Sequence, residues 1–186
     1  MDLVSARWRL ALLLLGAFAC LVTAQAESLA TAVKAAYLSK FPLYVDWPAA
    51  VLSPSVHELH LCIAGPDPFG ATLDAAVSGQ RVAERPLVVR RLKTVTRDAG
   101  CHILFIGGSD GERAQALSSL RGSAVLTITD APGAEAGVGI INFVVKDDRV
   151  RFDIDEAAAA ASGIAISAKL LNLALNVRRR PGTEAH

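Results

Sequence analysis

The sequence predicts a single α/β domain with a mixed, mostly parallel sheet of about six strands. Helices flank this sheet, and a C-terminal hairpin and helix follow it. A hydrophobic fraction of 52% over 186 residues is enough for one full-sized core. Short apolar runs such as 103–106 and 125–128 are typical of parallel strands buried on both faces, and helical patterns alternate with them. No internal repeat or low-complexity linker divides the chain.

The first 26 residues have the pattern of a secretory signal peptide. Arg7 and Arg9 precede an uninterrupted apolar run over 10–22, and small residues at 24–26 precede the expected cleavage site. This run is shorter than the roughly 20 residues that span a bilayer. An uncleaved anchor helix and lipidation at Cys20 are the alternatives. We therefore expect an exported domain over 27–180, followed by a loose tail over 181–186.

The charge balance gives no reason to expect nucleic-acid binding. The chain has 19 Lys and Arg residues against 18 Asp and Glu residues. Removing 1–26 takes away Arg7, Arg9 and Asp2, which leaves the mature chain neutral. A nucleic-acid interface needs many cations on one face to neutralise phosphates.

The first two thirds of the mature chain alternate helical and strand patterns. Apolar residues recur every three or four positions over 29–44, which predicts a helix with a kink or stop at Pro42. Asp67 as N-cap and Pro68 in the first turn predict a second helix over 68–77. The other expected elements are strands over 57–64, 86–92, 101–107 and 123–130, and a helix over 111–120.

The last third predicts a hairpin and a helix. Runs over 138–145 and 149–154 flank a Lys-Asp-Asp turn, and in the second run Val150, Phe152 and Ile154 share one face. A helical pattern then covers 156–177, broken or bent at Gly163, and residues 178–180 provide three arginines for its C-terminal dipole.

Two cysteines remain after signal-peptide removal, Cys62 and Cys101. An even number in an oxidising compartment suggests a disulfide. Closing a loop of about 40 residues would stabilise the fold by roughly 4 kcal/mol in the chain-entropy model. A redox-responsive bond and two free buried thiols are the alternatives.

The motifs that resemble catalytic or metal sites have simpler interpretations. Residues 107–111 match G-x-S-x-G, but a nucleophile elbow needs a later histidine as base, and only His186 follows. We instead expect a turn in which Ser109 or Asp110 caps a helix. His57 and His60 point to opposite faces of a strand, which does not suit a metal site. The sequence therefore predicts no catalytic residue, no metal and no cofactor, and a protein that is not an enzyme.

Five segments together resemble the YfiR-like family of periplasmic domains. They are VKAAYLSKFPLYVDWP, LCIAGPDPFG, CHILFIG, the run from VLTITD to GVGIINFVV, and the run from RVRFDID to GIAISAKLLNLA. The resemblance implies a mixed α/β fold and a periplasmic inhibitor of an inner-membrane diguanylate cyclase, which an outer-membrane, peptidoglycan-associated lipoprotein can sequester. It also implies that Cys62 and Cys101 form the family's disulfide. A second Cys pair of some relatives is absent, and Asp155 stands where Asn is usual.

The candidate partner-binding residues are aromatic side chains near the first helix and residues of the hairpin. An interface needs an apolar patch with a polar rim, which both regions could provide. The alternatives are core packing for the aromatic residues and a solvated surface for the arginines. A homodimer is compatible with either patch. The candidates are Tyr37, Phe41, Tyr44, Trp47, Phe143, Arg149 and Arg151.

Three functions compete on these observations. The first is a regulatory protein that represses an inner-membrane diguanylate cyclase by binding its periplasmic region. The second is a periplasmic small-ligand sensor that acts on another receptor, such as a histidine kinase. The third is a small exported hydrolase that uses Ser109, for which a base is missing.

Overall fold

A computed structural model describes residues 29–132 and 137–179. The expected signal peptide over 1–26 and the tail over 181–186 therefore lie outside the described residues. Helix α1 covers 29–40, and a 3-10 turn, Phe41–Tyr44, follows it with Pro42 near its start. The predicted stop at Pro42 is confirmed, because proline cannot donate the backbone hydrogen bond that would continue the α-helix.

Within the described residues the main sheet has eight strands, which are β2 (Leu59–Ala64), β3 (Arg81–Val82), β4 (Arg85–Leu92), β5 (Ile103–Ile106), β6 (Leu126–Thr129), β7 (Ile141–Lys146), β8 (Arg149–Asp155) and β10 (Val177–Arg178). Their order across the sheet is β10-β8-β7-β6-β5-β2-β4-β3. Neighbours from β4 to β7 are parallel, β3 and β8 run antiparallel to β4 and β7, and β10 is parallel to β8. A mixed, mostly parallel sheet is thus confirmed.

Five helices in the described part of the chain flank the sheet. Besides α1 they are α2 (Ala71–Val77), α3 (Asp110–Ser119), α4 (Glu156–Ala161) and α5 (Ala168–Leu171). A separate two-stranded sheet pairs β1 (Val45–Asp46) with β9 (Ala165–Ile166). No helix within the described ranges is long and apolar enough to cross a bilayer.

The two sheet faces form two cores of unequal size. On the larger face, side chains of β2, β5, β6, β7 and β8 pack against α1, α2, α4 and α5. On the smaller face, Cys62, Leu104 and Ile106 pack against α3. Successive strand residues point to opposite faces, so short apolar runs such as 103–106 supply both cores at once.

The crossover from β4 to β5 contains no α-helix. Helix α2 lies between β2 and β4, and α3 joins β5 to β6, but residues 93–102 join β4 to β5 with only a short 3-10 turn, Arg97–Ala99. We call residues 93–101 the strap. Val95 and Cys101 of the strap pack into the smaller core beside α3.

The predicted helix after the hairpin is confirmed at its start, Glu156, but its predicted extent to 177 is wrong, because α4 ends at Ala161. The structure has α4, then β9, α5 and β10 in this range. Gly163 has a left-handed φ of 71°, which ends α4, and the Ser167 side chain caps a new helix. Arg178 does not cap a helix dipole, because its side chain forms an ion pair with Asp155, 2.6 Å away.

Two smaller differences concern the start of α2 and one sheet edge, whereas the hairpin agrees with the prediction. Helix α2 begins at Ala71, and Asp67 does not cap it; Asp67 Oδ1 instead accepts hydrogen bonds from the backbone N–H groups of Phe69 and Gly70, 2.8 and 3.2 Å away. The edge strand β3 was not predicted. The hairpin is confirmed as β7 and β8, with positive φ at Asp147 and Asp148, as its two-residue turn requires.

Candidate partner-binding surface

The aromatic stripe of α1 packs onto the hairpin. The ring centroid of Phe41 lies 5.8 Å from that of Phe143 and 5.0 Å from that of Phe152, and Tyr37 lies 5.5 Å from Phe41. Phe41 and Phe143 are 1% and 0% exposed. These two predicted site residues therefore lie in the core, where their rings fix α1 against β7 and β8.

Two large apolar side chains are exposed on segments that adjoin this core. Leu43 in the 3-10 turn is 46% exposed, and Leu173 after α5 is 59% exposed. The two segments adjoin, because the Tyr44 carbonyl accepts a hydrogen bond from the Ser167 N–H at 2.9 Å, next to the β1–β9 pair.

We call Leu43, Tyr44, Trp47 and Leu173 the apolar ledge. Tyr44 and Trp47 are half-buried, and Trp47 Nε1 donates a hydrogen bond to the Pro42 carbonyl at 3.3 Å. Lys40 and Asp46, both exposed, border the 3-10 turn in sequence. The sequence does not single out Leu43 or Leu173, because each lies in an apolar stretch where nothing distinguishes an exposed leucine from a buried one.

Arg149 and Arg151 lie on the opposite face of the hairpin from Phe152. Lys146 stands directly across from Arg149, so two cations are cross-strand neighbours. Within the described ranges, none of these three side chains has a carboxylate within 4 Å. The structure thus separates the predicted aromatic and basic patches, which cannot form one continuous surface.

The predicted pairing of Cys62 with Cys101 is confirmed as a disulfide, with Cα atoms 5.8 Å apart. Cys62 is fully buried in central strand β2, whereas Cys101 ends the strap and is half-buried. The bond therefore joins the crossover between β4 and β5 to the middle of the sheet.

Ser109 begins helix α3, as expected. Its Oγ accepts a hydrogen bond from the Glu112 N–H, and Glu112 Oε2 accepts bonds from the Ser109 hydroxyl and N–H at 2.7 and 2.8 Å. These bonds, first the hydroxyl and then the N–H, hold the pKa of Glu112 below its usual value. His102 precedes β5, whereas Ser109 follows it, so the length of the strand separates them.

Ion pairs fix α2 on β4. Arg91 contacts Asp67 at 2.7 Å and Asp74 at 3.0 Å, and its Nη2 donates to the Gly70 carbonyl. Bonds to Asp74 and then Asp67 raise the pKa of Arg91. Burial raises the pKa of Asp67, but the bonds from Arg91, Phe69 and Gly70 outweigh it and lower that pKa. The charged groups of this cluster bond to one another, so we interpret the cluster as a structural one that holds α2 on β4.

Comparison with known proteins places the chain in one family. No curated protein gives a significant match. A family profile described as YfiR/HmsC-like matches residues 31–175, a range that includes most of α1, both cysteines of the disulfide, the hairpin and Leu173. This range covers well over half of the chain and nearly all of the described fold. The chain therefore belongs to the YfiR/HmsC-like family.

Proposed function

We propose that this protein is a periplasmic repressor that binds the periplasmic region of an inner-membrane diguanylate cyclase and so lowers cyclic di-GMP. The observation that carries the proposal is the family match over 31–175, because the family suggests a regulator of diguanylate cyclase signalling. The family is regulatory and non-catalytic. The Cys62–Cys101 disulfide suits an oxidising compartment such as the periplasm.

The apolar ledge is the surface we propose for the cyclase. Binding hot spots are apolar or aromatic side chains that a polar rim surrounds, and Leu43 and Leu173 are large apolar side chains left substantially exposed. Complete burial of one leucine side chain contributes roughly 1.5–3 kcal/mol. About half of each leucine is already buried, so each would add about 1 kcal/mol. Tyr44 and Trp47 would supply the aromatic part of the interface.

A deletion strain tests the repressor role. We expect cytoplasmic cyclic di-GMP to rise when the gene is deleted, and to return to its original level when the wild-type gene is restored. An unchanged cyclic di-GMP level in the deletion strain would exclude repression of a cyclase.

Two variants in that strain test the ledge. Leu173→Gln removes an exposed leucine from it, and Val145→Gln changes a residue of similar exposure, 63%, in the hairpin. Both sites are exposed, so both variants should keep their thermal stability within about 0.5 kcal/mol. We expect Val145→Gln to restore low cyclic di-GMP and Leu173→Gln to restore it less well, because a loss of about 1 kcal/mol weakens binding about fivefold. Full complementation by Leu173→Gln would exclude the ledge.

Periplasmic photocrosslinking identifies the partner. A photoreactive residue at position 43 should capture the cyclase. We propose an outer-membrane, peptidoglycan-associated lipoprotein as a second partner that competes for the inhibitor, and a second copy of the chain as a third. An export assay with residues 1–26 fused to alkaline phosphatase, which is active only in the periplasm, tests the signal peptide.

A cavity supports a second candidate function, the small-ligand sensor. It has a volume of about 600 Å³ and lies between α3 and α4, with Leu117, Val125 and Ile140 among its lining residues. This volume is within the range of small-molecule sites. A ligand screen by thermal shift distinguishes the candidates: saturable stabilisation together with unchanged cyclic di-GMP in the deletion strain would favour the sensor.

A further inference from the structure

Two histidines fasten the end of the strap to central strand β2. The His102 N–H donates a hydrogen bond to the His60 carbonyl at 3.0 Å, and the His60 N–H donates to Nδ1 of the His102 ring, also at 3.0 Å. Both backbone polar atoms of His60 are thus bonded to one residue. That residue directly follows Cys101, the strap's disulfide cysteine.

The His60 ring extends this network to the strap itself. Its Nδ1 lies 2.9 Å from the Gly100 carbonyl, and its Nε2 lies 2.7 Å from Glu58 Oε1. Arg90 on β4 donates to the Ala99 carbonyl at 3.1 Å, and its Nη1 is 3.3 Å from His60 Nδ1. The last two residues before Cys101 are therefore held through their carbonyls by side chains of β2 and β4.

The bond between His60 and His102 exists in only one protonation state of His102. Its Nδ1 must carry a lone pair to accept from the His60 N–H. Burial, and then the nearby His60, lower the pKa of His102 from 6.5 to about 4. A proton on Nδ1 would turn the acceptor into a donor that faces another N–H across 3.0 Å.

The charges around His102 would not compensate for such a proton. His60 on β2 and Arg90 on β4 are both basic, and Glu58 is the carboxylate that His60 already contacts. On the strap, Arg97 donates to the Arg121 carbonyl, and Asp98 is exposed. A proton on His102 would thus add a positive charge beside Arg90 and His60. The neighbouring carboxylate, Glu58, is already paired with His60.

We infer that the His60–His102 pair is an acid-sensitive latch, in which protonation of His102 releases the end of the strap and opens access to the Cys62–Cys101 disulfide. The closed state binds fewer protons than the open state, because the pKa of His102 is lowered only while the latch is closed. The closed state is therefore favoured above the usual histidine pKa and is weakened as the pH falls below it. This inference goes beyond the proposed function and does not depend on it.

Disulfide reduction measures the latch directly. The mature protein is treated with tris(2-carboxyethyl)phosphine between pH 7.5 and pH 4.5, and the rate for each variant is divided by the wild-type rate at the same pH. His102→Asn can still accept from the His60 N–H but cannot be protonated. His57→Asn is the matched control, because His57 is exposed and takes no part in the network.

The latch predicts a specific pH dependence. The open state binds one more proton than the closed state, so a lower pH favours opening. The equilibrium constant for opening of the wild-type latch therefore increases roughly 20- to 80-fold from pH 7.5 to pH 4.5. We expect His57→Asn to follow wild type at every pH. The reduction rate of His102→Asn, relative to wild type, should fall by a similar factor as the pH decreases. A constant ratio of His102→Asn to wild type would overturn the inference.

A measurement on the wild-type protein covers the case in which His102→Asn does not fold. Nuclear magnetic resonance of ¹⁵N-labelled histidine should show His102 Nδ1 unprotonated at pH 6. Hydrogen-exchange protection of the His60 amide, corrected for the intrinsic rate, should be lost as His102 titrates. Protonation of His102 at pH 6, or a His60 amide that stays protected after His102 has titrated, would contradict the latch.

Discussion

Removing the disulfide should destabilise the fold by an amount that depends on which cysteine is replaced. The bond closes a sequence separation of 39 residues. In the chain-entropy model, loss of this cross-link lowers the free energy of unfolding by about 4 kcal/mol. Cys101 is half-buried at the end of the strap, so Cys101→Ser removes the cross-link and little else. We therefore expect Cys101→Ser to lower the free energy of unfolding by about 4 kcal/mol.

Cys62→Ser should be worse than Cys101→Ser. Cys62 is 0% exposed in the smaller core, so its replacement also buries a hydroxyl group among Leu104 and Ile106. An unsatisfied buried hydroxyl adds about 1–3 kcal/mol. The order of stability should thus be wild type, then Cys101→Ser, then Cys62→Ser.

Thermal unfolding by circular dichroism checks both values on the mature protein. A change of 4 kcal/mol corresponds to a decrease in Tm of about 8–16 °C for a domain of this size. Wild type with reductant should melt close to Cys101→Ser, which controls for the substitution itself. A decrease of less than about 3 °C in Cys101→Ser would refute the argument that the cross-link stabilises the crossover.

Three further predictions concern packing and capping. Phe143→Ala should cost about 3–5 kcal/mol in chemical denaturation, because Phe143 is fully buried against Phe41; a loss below 1 kcal/mol would contradict its core position. Gly107→Ala should lower the free energy of unfolding by about 1–3 kcal/mol, because a Cβ there would lie 2.7 Å from the Pro66 carbonyl oxygen. Gly111→Ala is the control, because a Cβ there meets no atom within 4 Å, and it should be neutral or stabilising. Equal effects of the two variants would contradict the close approach at Gly107. Ser109→Ala should raise the pKa of Glu112 toward its usual value in a carboxyl titration, because it removes the hydroxyl bond, and an unchanged pKa would contradict the capping box.

The elements with strong local signals could be predicted from the sequence. Pro42 ends α1 because its ring removes a backbone donor, and the alternation of Val150, Phe152 and Ile154 sets the buried face of β8. Ser109 with Glu112 three residues later is a capping box that can be read directly from the chain.

The candidate site was only partly predictable. The aromatic stripe was found, but its periodicity does not say whether Phe41 and Phe143 face the core or a partner. Burial decides this, and it depends on how α1 lies across β7 and β8. The exposed leucines, Leu43 and Leu173, are far apart in sequence, so no local pattern connects them.

The sequence by itself determined the mixed α/β class, the end of α1, the hairpin and the two cysteines available for a bond. Only the tertiary structure decided the fate of residues 156–177, whose local composition favours a helix. Pairing of Ile166 with Val45 and of Val177 with Ile154 turns parts of that segment into strands. The first of these partners is distant in the chain, and local propensity is a weak preference that tertiary contacts override. The same reason explains the histidine latch: His60 and His102 meet only because β2 and β5 are neighbours in the sheet.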